Sequence, residues 1–274
     1  MNRRRTPTGP PSEELLHLLG QLTGRVMERI KLQQARVALA VELQRHMLPP
    51  ELPGLPGLQT AARYVPAQTG LDIGGDWYDA FMLPDGSLGF AIGDVQGHDV
   101  EAAAFMGQVR TGLHAVAGAT TDPGDVLSRA NNLLLSMSSD LLATCTFLRF
   151  DPVLGELTDA RAGHVPAVWG TADGTEVLQD PGGLPLGVFP DQHYPVTRRR
   201  LSQVGAFVLI TDGVVEGPTY PIENGLAQVA ARVRAGYDGD ADDLAAEVIS
   251  VADLTGHSDD AAVLVLRHDG GPYT

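Results

Sequence analysis

The chain has 274 residues, 43% of them hydrophobic, and its 34 acidic against 19 basic side chains give a net charge of −15. That length and apolar content suffice for a buried core, which excludes wholesale disorder, and no run of about eighteen apolar residues is present to cross a bilayer. A single cysteine, Cys145, excludes an intramolecular disulfide and a cysteine-rich zinc module, and the opening MNRRRTPTGPPSEE lacks the apolar segment of a signal peptide, so the expected location is cytoplasmic.

In chain order, residues 1–11 are rich in Arg, Pro, Thr and Gly and read as a disordered arm. From Ser12, a capping residue, Leu15, Leu19, Leu22, Val26 and Ile30 recur at spacings of three and four. The stripe resumes at Val37, Val41 and Leu48, with Gln33 in the seam. This predicts an amphipathic helix over 12–48 that pairs as a coiled coil in a homodimer, weakened at Gly20 and Gly24 by roughly 1 kcal/mol each. A helix packed on its own domain is the competing reading. Residues 1–45 carry eight basic against four acidic groups, whereas the other 229 carry eleven against thirty. A body that negative repels nucleic-acid phosphates and gathers cations, so no nucleic-acid partner is expected.

Pro49, Pro50, Pro53 and Pro56 end the helix, and a domain is expected over 49–268 with a tail at 269–274. Short apolar runs predict strands at 58–65, 77–83, 88–95, 143–151, 156–162, 165–169, 206–211 and 261–267. Pro84-Asp85-Gly86 and the segment from Asp151-Pro152 to Gly155 are hairpin connections, which makes several neighbouring strands antiparallel. Helices are predicted at 99–117, 123–138, 223–235 and 241–254, with Pro123 suited to a helix start. Hairpin strands mixed with two helix pairs describe an α+β layered domain rather than a doubly wound sheet.

Aspartates recur in one local setting, read as strand ends beside small residues: Gly74-Gly75-Asp76, Gly93-Asp94-Val95 and Thr211-Asp212-Gly213. A further pair, Ser258-Asp259-Asp260, precedes the last strand. A sheet holds such a carboxylate rigidly while neighbouring glycines let backbone, water or ligand approach. Converging carboxylates repel one another by several kcal/mol unless cations neutralise them. Oxygen ligands without cysteine favour Mg²⁺ or Mn²⁺ over zinc. A single Asp-Gly is usually only a turn, and Asp72 and Asp79 read as solvated turn residues.

With these residues in place, the sequence resembles the metal-dependent serine/threonine phosphatases of the protein phosphatase 2C type, in their SpoIIE-like bacterial branch. The resemblance runs in order through LQRHMLPP (43–50), AARYVPA (61–67), GGDWYD (74–79), GDVQGH (93–98), AGHVPA (162–167), LPLGV (184–188), TDGVVE (211–216) and SDDAAVLVL (258–266). It implies a four-layer α-β-β-α sandwich with a binuclear Mn²⁺ or Mg²⁺ site at one edge of the sheets. By motif position Asp94 would bridge the metals, Asp212 and Asp259 would hold one, and Asp76 and the Val95 carbonyl would serve the other. Asp260, Gly75 and His98 would support them. Asp99 departs from the glycine many relatives carry and is read as a helix start. The arginine that grips phosphate in some relatives has no evident counterpart, Arg63 not being safely aligned with it. The resemblance further implies a phosphorylated regulator of the anti-sigma-factor antagonist type as substrate.

Other readings remain open. A catalytically weak phosphatase-fold module that sequesters a regulatory partner would be expected to have lost metal aspartates. A hydrolase of nucleotides would be expected to carry a glycine-rich phosphate loop with lysine, and no lysine follows Lys31. His164, Trp77, Trp169 and Cys145 read as architectural residues.

Overall fold

The computed structural model describes residues 12–67, 74–97, 100–137 and 140–271. The predicted arm 1–11, Asp72, His98, Asp99 and the last three tail positions therefore lie outside the described residues.

Helix α1 (Ser12–Met47) leads into β1 (Leu58–Val65), β2 (Trp77–Met82) and β3 (Leu88–Val95). Two helices follow, α2 (Val100–Ala117) and α3 (Pro123–Ser136), then the hairpin β4 (Ala143–Asp151) and β5 (Glu156–Ala162). Next come β6 (Val168–Thr171), β7 (Gly174–Val177), β8 (Val196–Arg200) and β9 (Gly205–Ile210). The chain ends with α4 (Asp212–Val215), α5 (Ile222–Gly236), α6 (Ala241–Ile249), α7 (Ala252–Thr255) and β10 (Ala261–His268).

The strands form two five-stranded sheets, in the orders β1-β10-β9-β6-β7 and β2-β3-β4-β5-β8. The pairings between these strands are antiparallel, and the hairpins at Pro84–Gly86 and Asp151–Gly155 are among them. Both sheets are apolar on two faces: every residue of β9 is buried, as are seven of eight in β3 and in β10. Such strands must be covered on both sides. Three apolar clusters supply the cover. Leu88, Phe90, Leu148, Phe207 and Leu264 lie between the sheets. Met106, Leu113, Leu127 and Phe147 join α2 and α3 to one outer face, and Val208, Val229, Val248 and Val263 join α5 and α6 to the other. This is the four-layer sandwich expected from the sequence.

Differences from the sequence expectations are local. The strands β7 and β8 were not anticipated, because Gly174-Thr175-Glu176-Val177 has little apolar content and Val196–Arg200 exposes every other residue at a sheet edge. The predicted helix 241–254 is broken at Ser250, and the strand expected from 165 begins at Val168. Cys145 and Trp77 are fully buried, as their packing roles required. No helix of the described residues is long and apolar enough to cross a membrane.

Candidate metal centre

The two sheets converge at one end on carboxylates from three separate segments. Asp94 is the penultimate residue of β3, and Asp212 opens α4 directly behind the fully buried strand β9. Asp76 sits immediately before β2, not behind a strand as its motif suggested. One ligand oxygen from each of Asp76, Asp94 and Asp212 lies within 4.8 Å of the others.

Small residues make this approach possible. Gly75 accepts a hydrogen bond from the Val95 amide, 3.2 Å from N to O. A Cβ at Gly75 would fall 2.2 Å from the Val95 carbonyl oxygen and 2.9 Å from an Asp94 carboxylate oxygen. Any larger residue would push the Asp76 loop away from Asp94. At Gly213 a Cβ would fall 1.9 Å from the Asp260 carbonyl oxygen, so glycine there lets α4 seat against the 258–260 turn.

Thr211 locks the centre to the sheet. Its buried hydroxyl donates to Asp76 Oδ2 at 2.7 Å and accepts from the Ala262 amide at 2.8 Å. Asp260 is buried and accepts from the Ala67 amide at 2.9 Å, so it fixes the backbone just past β1. Asp259 is exposed and stands outside the tight trio, yet it lines one cleft of about 350 Å³ with Asp212, Glu216 and Ser258. Among the described residues, no lysine or arginine lines that cleft.

The electrostatics follow from burial and crowding. Desolvation, then repulsion from Asp94 and Asp212, pushes the Asp76 carboxyl well above its ordinary range. Desolvation, then Asp212 and Asp259, raises Asp94, and desolvation followed by Asp259 raises Asp212. Asp212 Oδ1 is buried without a hydrogen-bond partner. Three crowded carboxylates and an unpartnered carboxylate oxygen form an all-oxygen donor set that fits a hard divalent cation.

Other expected residues fall elsewhere. Asp79 is not a solvated turn residue: it is 2% exposed within β2, where Arg110 (2.7 Å) and His114 (2.6 Å) of α2 bind its Oδ2. Its partners lie 31 and 35 positions away, beyond any local motif. Arg63 forms a two-point contact with Asp242 at 2.8 and 2.5 Å and takes no part in the trio. His164 is buried beside the Thr144 hydroxyl, 2.8 Å from Nδ1, in an architectural position.

Residues 84–269 match the family described as Stage II sporulation protein E (SpoIIE). The phosphoserine phosphatase RsbU of Bacillus subtilis is 26% identical over 197 residues, covering 71% of this chain and 57% of its own length. The crystal structure of the RsbU and RsbW domains of a Mycobacterium tuberculosis protein superposes with a TM-score of 0.72 at 30% identity, over 82% of this chain and 63% of that one. The PP2C phosphatase domain of Bacillus subtilis SpoIIE, with a fragment of its regulatory domain, gives a TM-score of 0.65 at 20% identity, over 77% and 63%. The fold is therefore that of the protein phosphatase 2C type. The chain spans between 33% and 57% of the length of the curated relatives it matches.

Proposed function

The chain belongs to the Stage II sporulation protein E family, and we propose that it hydrolyses phosphoserine or phosphothreonine on a regulatory protein of the anti-sigma-factor antagonist type, with two Mn²⁺ or Mg²⁺ ions, in a bacterial partner-switching pathway. The observation that carries this reading is the convergence of Asp76, Asp94 and Asp212 within 4.8 Å at the open end of the sandwich. The name of RsbU, a phosphoserine phosphatase, supports it.

Asp94 would contribute to holding both cations, Asp212 and Asp259 would hold one, and Asp76 with the Val95 carbonyl would hold the other. Bound there, divalent cations supply Lewis acidity, which activates water for in-line attack and offsets charge on the phosphoryl oxygens. The chain's own part is positional. Thr211 fixes the Asp76 carboxylate, Gly75 lets it approach Asp94, and Asp260 holds the Ala67 amide past β1. A cleft whose described lining is acidic, without lysine or arginine, leaves phosphate recognition to the cations. No side chain is required as a covalent nucleophile.

Phosphate release from a phosphoserine protein is expected to depend on Mn²⁺ and to fall at least a hundredfold in Asp94→Asn. A purified wild-type chain that releases no phosphate with Mn²⁺ present would overturn the proposal. The competing binding module keeps its partner affinity without turnover, and calorimetry showing no Mn²⁺ uptake would favour it. Retention of all four aspartates favours the enzyme.

A further inference from the structure

The loop between β7 and β8 presents apolar side chains to solvent at the metal end of the molecule. Phe189 is 57% exposed and Leu184 46%. An exposed phenylalanine on a mobile loop would fold back over apolar surface, but this loop is fastened. Asn131 of α3 is 0% exposed and ties its amide to the loop at both ends: its Nδ2 donates to the Phe189 carbonyl at 2.8 Å, and its Oδ1 accepts from the Gly187 amide at 2.9 Å. Asn132 accepts from the Asp191 amide at 3.0 Å. Gly187 adopts a φ of +90°, which a side chain rarely tolerates, so the turn that projects Phe189 is written into the sequence. A large aromatic on a fastened backbone has less freedom left to lose on binding than one on a loose loop.

The loop also lies beside the carboxylates. Leu186 forms a two-way bridge with Ala143 at 3.1 and 2.8 Å, and Ala143 pairs with Val95 next to Asp94. Two strand spacings place Leu186 about 10 Å from Val95. A protein interface of standard size covers about 800 Å² on each partner, a disc of about 16 Å radius. A footprint of that size centred on the carboxylates reaches Leu186 and the turn beside it. The cleft wall with Glu216, Ser258 and Asp259 is polar and acidic, so the loop is where apolar anchoring is available.

We propose that Phe189 and Leu184 form a docking surface for the folded domain that carries the phosphoserine, and that they set preference for protein over peptide. The proposal rests on the phosphatase reading for its occupant and adds the partner's folded surface as a second point of recognition. Two readouts test it, using the phosphoserine form of an anti-sigma-factor antagonist and a short phosphoserine peptide cut from it. In Phe189→Ser and in the Leu184→Ser/Phe189→Ser double variant, the ratio of protein to peptide kcat/KM is expected to fall at least tenfold. The Kd for the phosphoprotein, measured by biolayer interferometry with the full chain, is expected to weaken at least tenfold. An unchanged ratio with unchanged Kd overturns the docking surface, as does an equal fall on protein and peptide, or a wild-type chain that does not bind the phosphoprotein. A wild-type chain that binds the phosphoprotein but turns over neither substrate overturns the phosphatase reading and leaves the Kd comparison to decide the docking surface.

Discussion

At the residue scale, the hydroxyl of Thr211 holds more of the centre than its size suggests. It stands between the carboxylate of Asp76 and the amide of Ala262, both buried with it. Thr211→Val keeps the shape and leaves a carboxylate oxygen and an amide unpartnered, which costs about 1–3 kcal/mol. Groups that orient metal ligands are worth roughly 10–100-fold in affinity, so the variant is expected to lower Mn²⁺ affinity at least tenfold by calorimetry while Thr211→Ser largely restores it. The sequence named the aspartates because recurrence beside glycine is a local signal. Thr211 was visible only as a neighbour, since its partner Asp76 is 135 positions away. A second residue carries a pH signature. Burial lowers His268 from an ordinary value of 6.5 to about 4, so the fold prefers the neutral ring. Its contribution is complete above pH 6.5 and is lost as pH falls towards 4, at about 1.4 kcal/mol per unit. Urea unfolding is expected to show this loss between pH 7 and 5, and His268→Leu to flatten it.

At the scale of elements, α2 is tied to β2 by one buried carboxylate. The Asp79 carboxyl is held below its usual range: burial alone would raise it, but the hydrogen bonds from His114 and Arg110 outweigh burial. The sign is the ordinary one for a carboxylate: the contribution is present above its unfolded value and lost as pH falls through the folded one. His114 also stacks on Phe81, with ring centroids 3.7 Å apart, so the clamp joins charge to packing. Arg110→Met is expected to destabilise by about 1–3 kcal/mol, measured by denaturant titration, because Asp79 stays buried with one partner fewer. Element types were legible where burial made them so. The strands 58–65, 88–95, 143–151 and 156–162 have the limits read from their apolar runs. The clamp was not legible, because an Asp after Trp-Tyr looks like a turn until a helix from elsewhere in the chain covers it. The edge strands β7 and β8 escaped for the opposite reason, since pairing with a neighbour, not burial, makes them strands.

At the scale of the whole molecule, α1 is the element without a home. It runs unbroken over 36 residues, about 54 Å at 1.5 Å per residue, and Gly20 and Gly24 do not interrupt it. Leu16, Leu19, Leu22, Val26 and Ile30 are between 46% and 70% exposed, so the competing reading of a helix packed on its own domain fails for this part. Exposed apolar area costs about 25 cal/mol per Å², and a second copy of the same helix, set parallel, is the proposed cover. The four-residue step from Val26 to Ile30 departs from a strict heptad and would keep such pairing weak enough to be adjusted. Leu48, the residue just past α1, is buried in the cluster with Phe105, Met106 and Val109 of α2. Helix pairing would thereby bear on the carboxylates. Light scattering of the full chain at micromolar concentration is expected to give a dimer, and Leu19→Glu/Val26→Glu a monomer whose Mn²⁺-dependent activity differs at least threefold from the parent. Nothing lies within 4 Å of a Cβ added at Gly20 or Gly24, so Gly20→Ala/Gly24→Ala adds about 2 kcal/mol of helix stability without a clash. That variant is expected to shift activity in the opposite direction from the monomer; a full chain that is monomeric, with activity indifferent to both variants, would remove the helix from regulation.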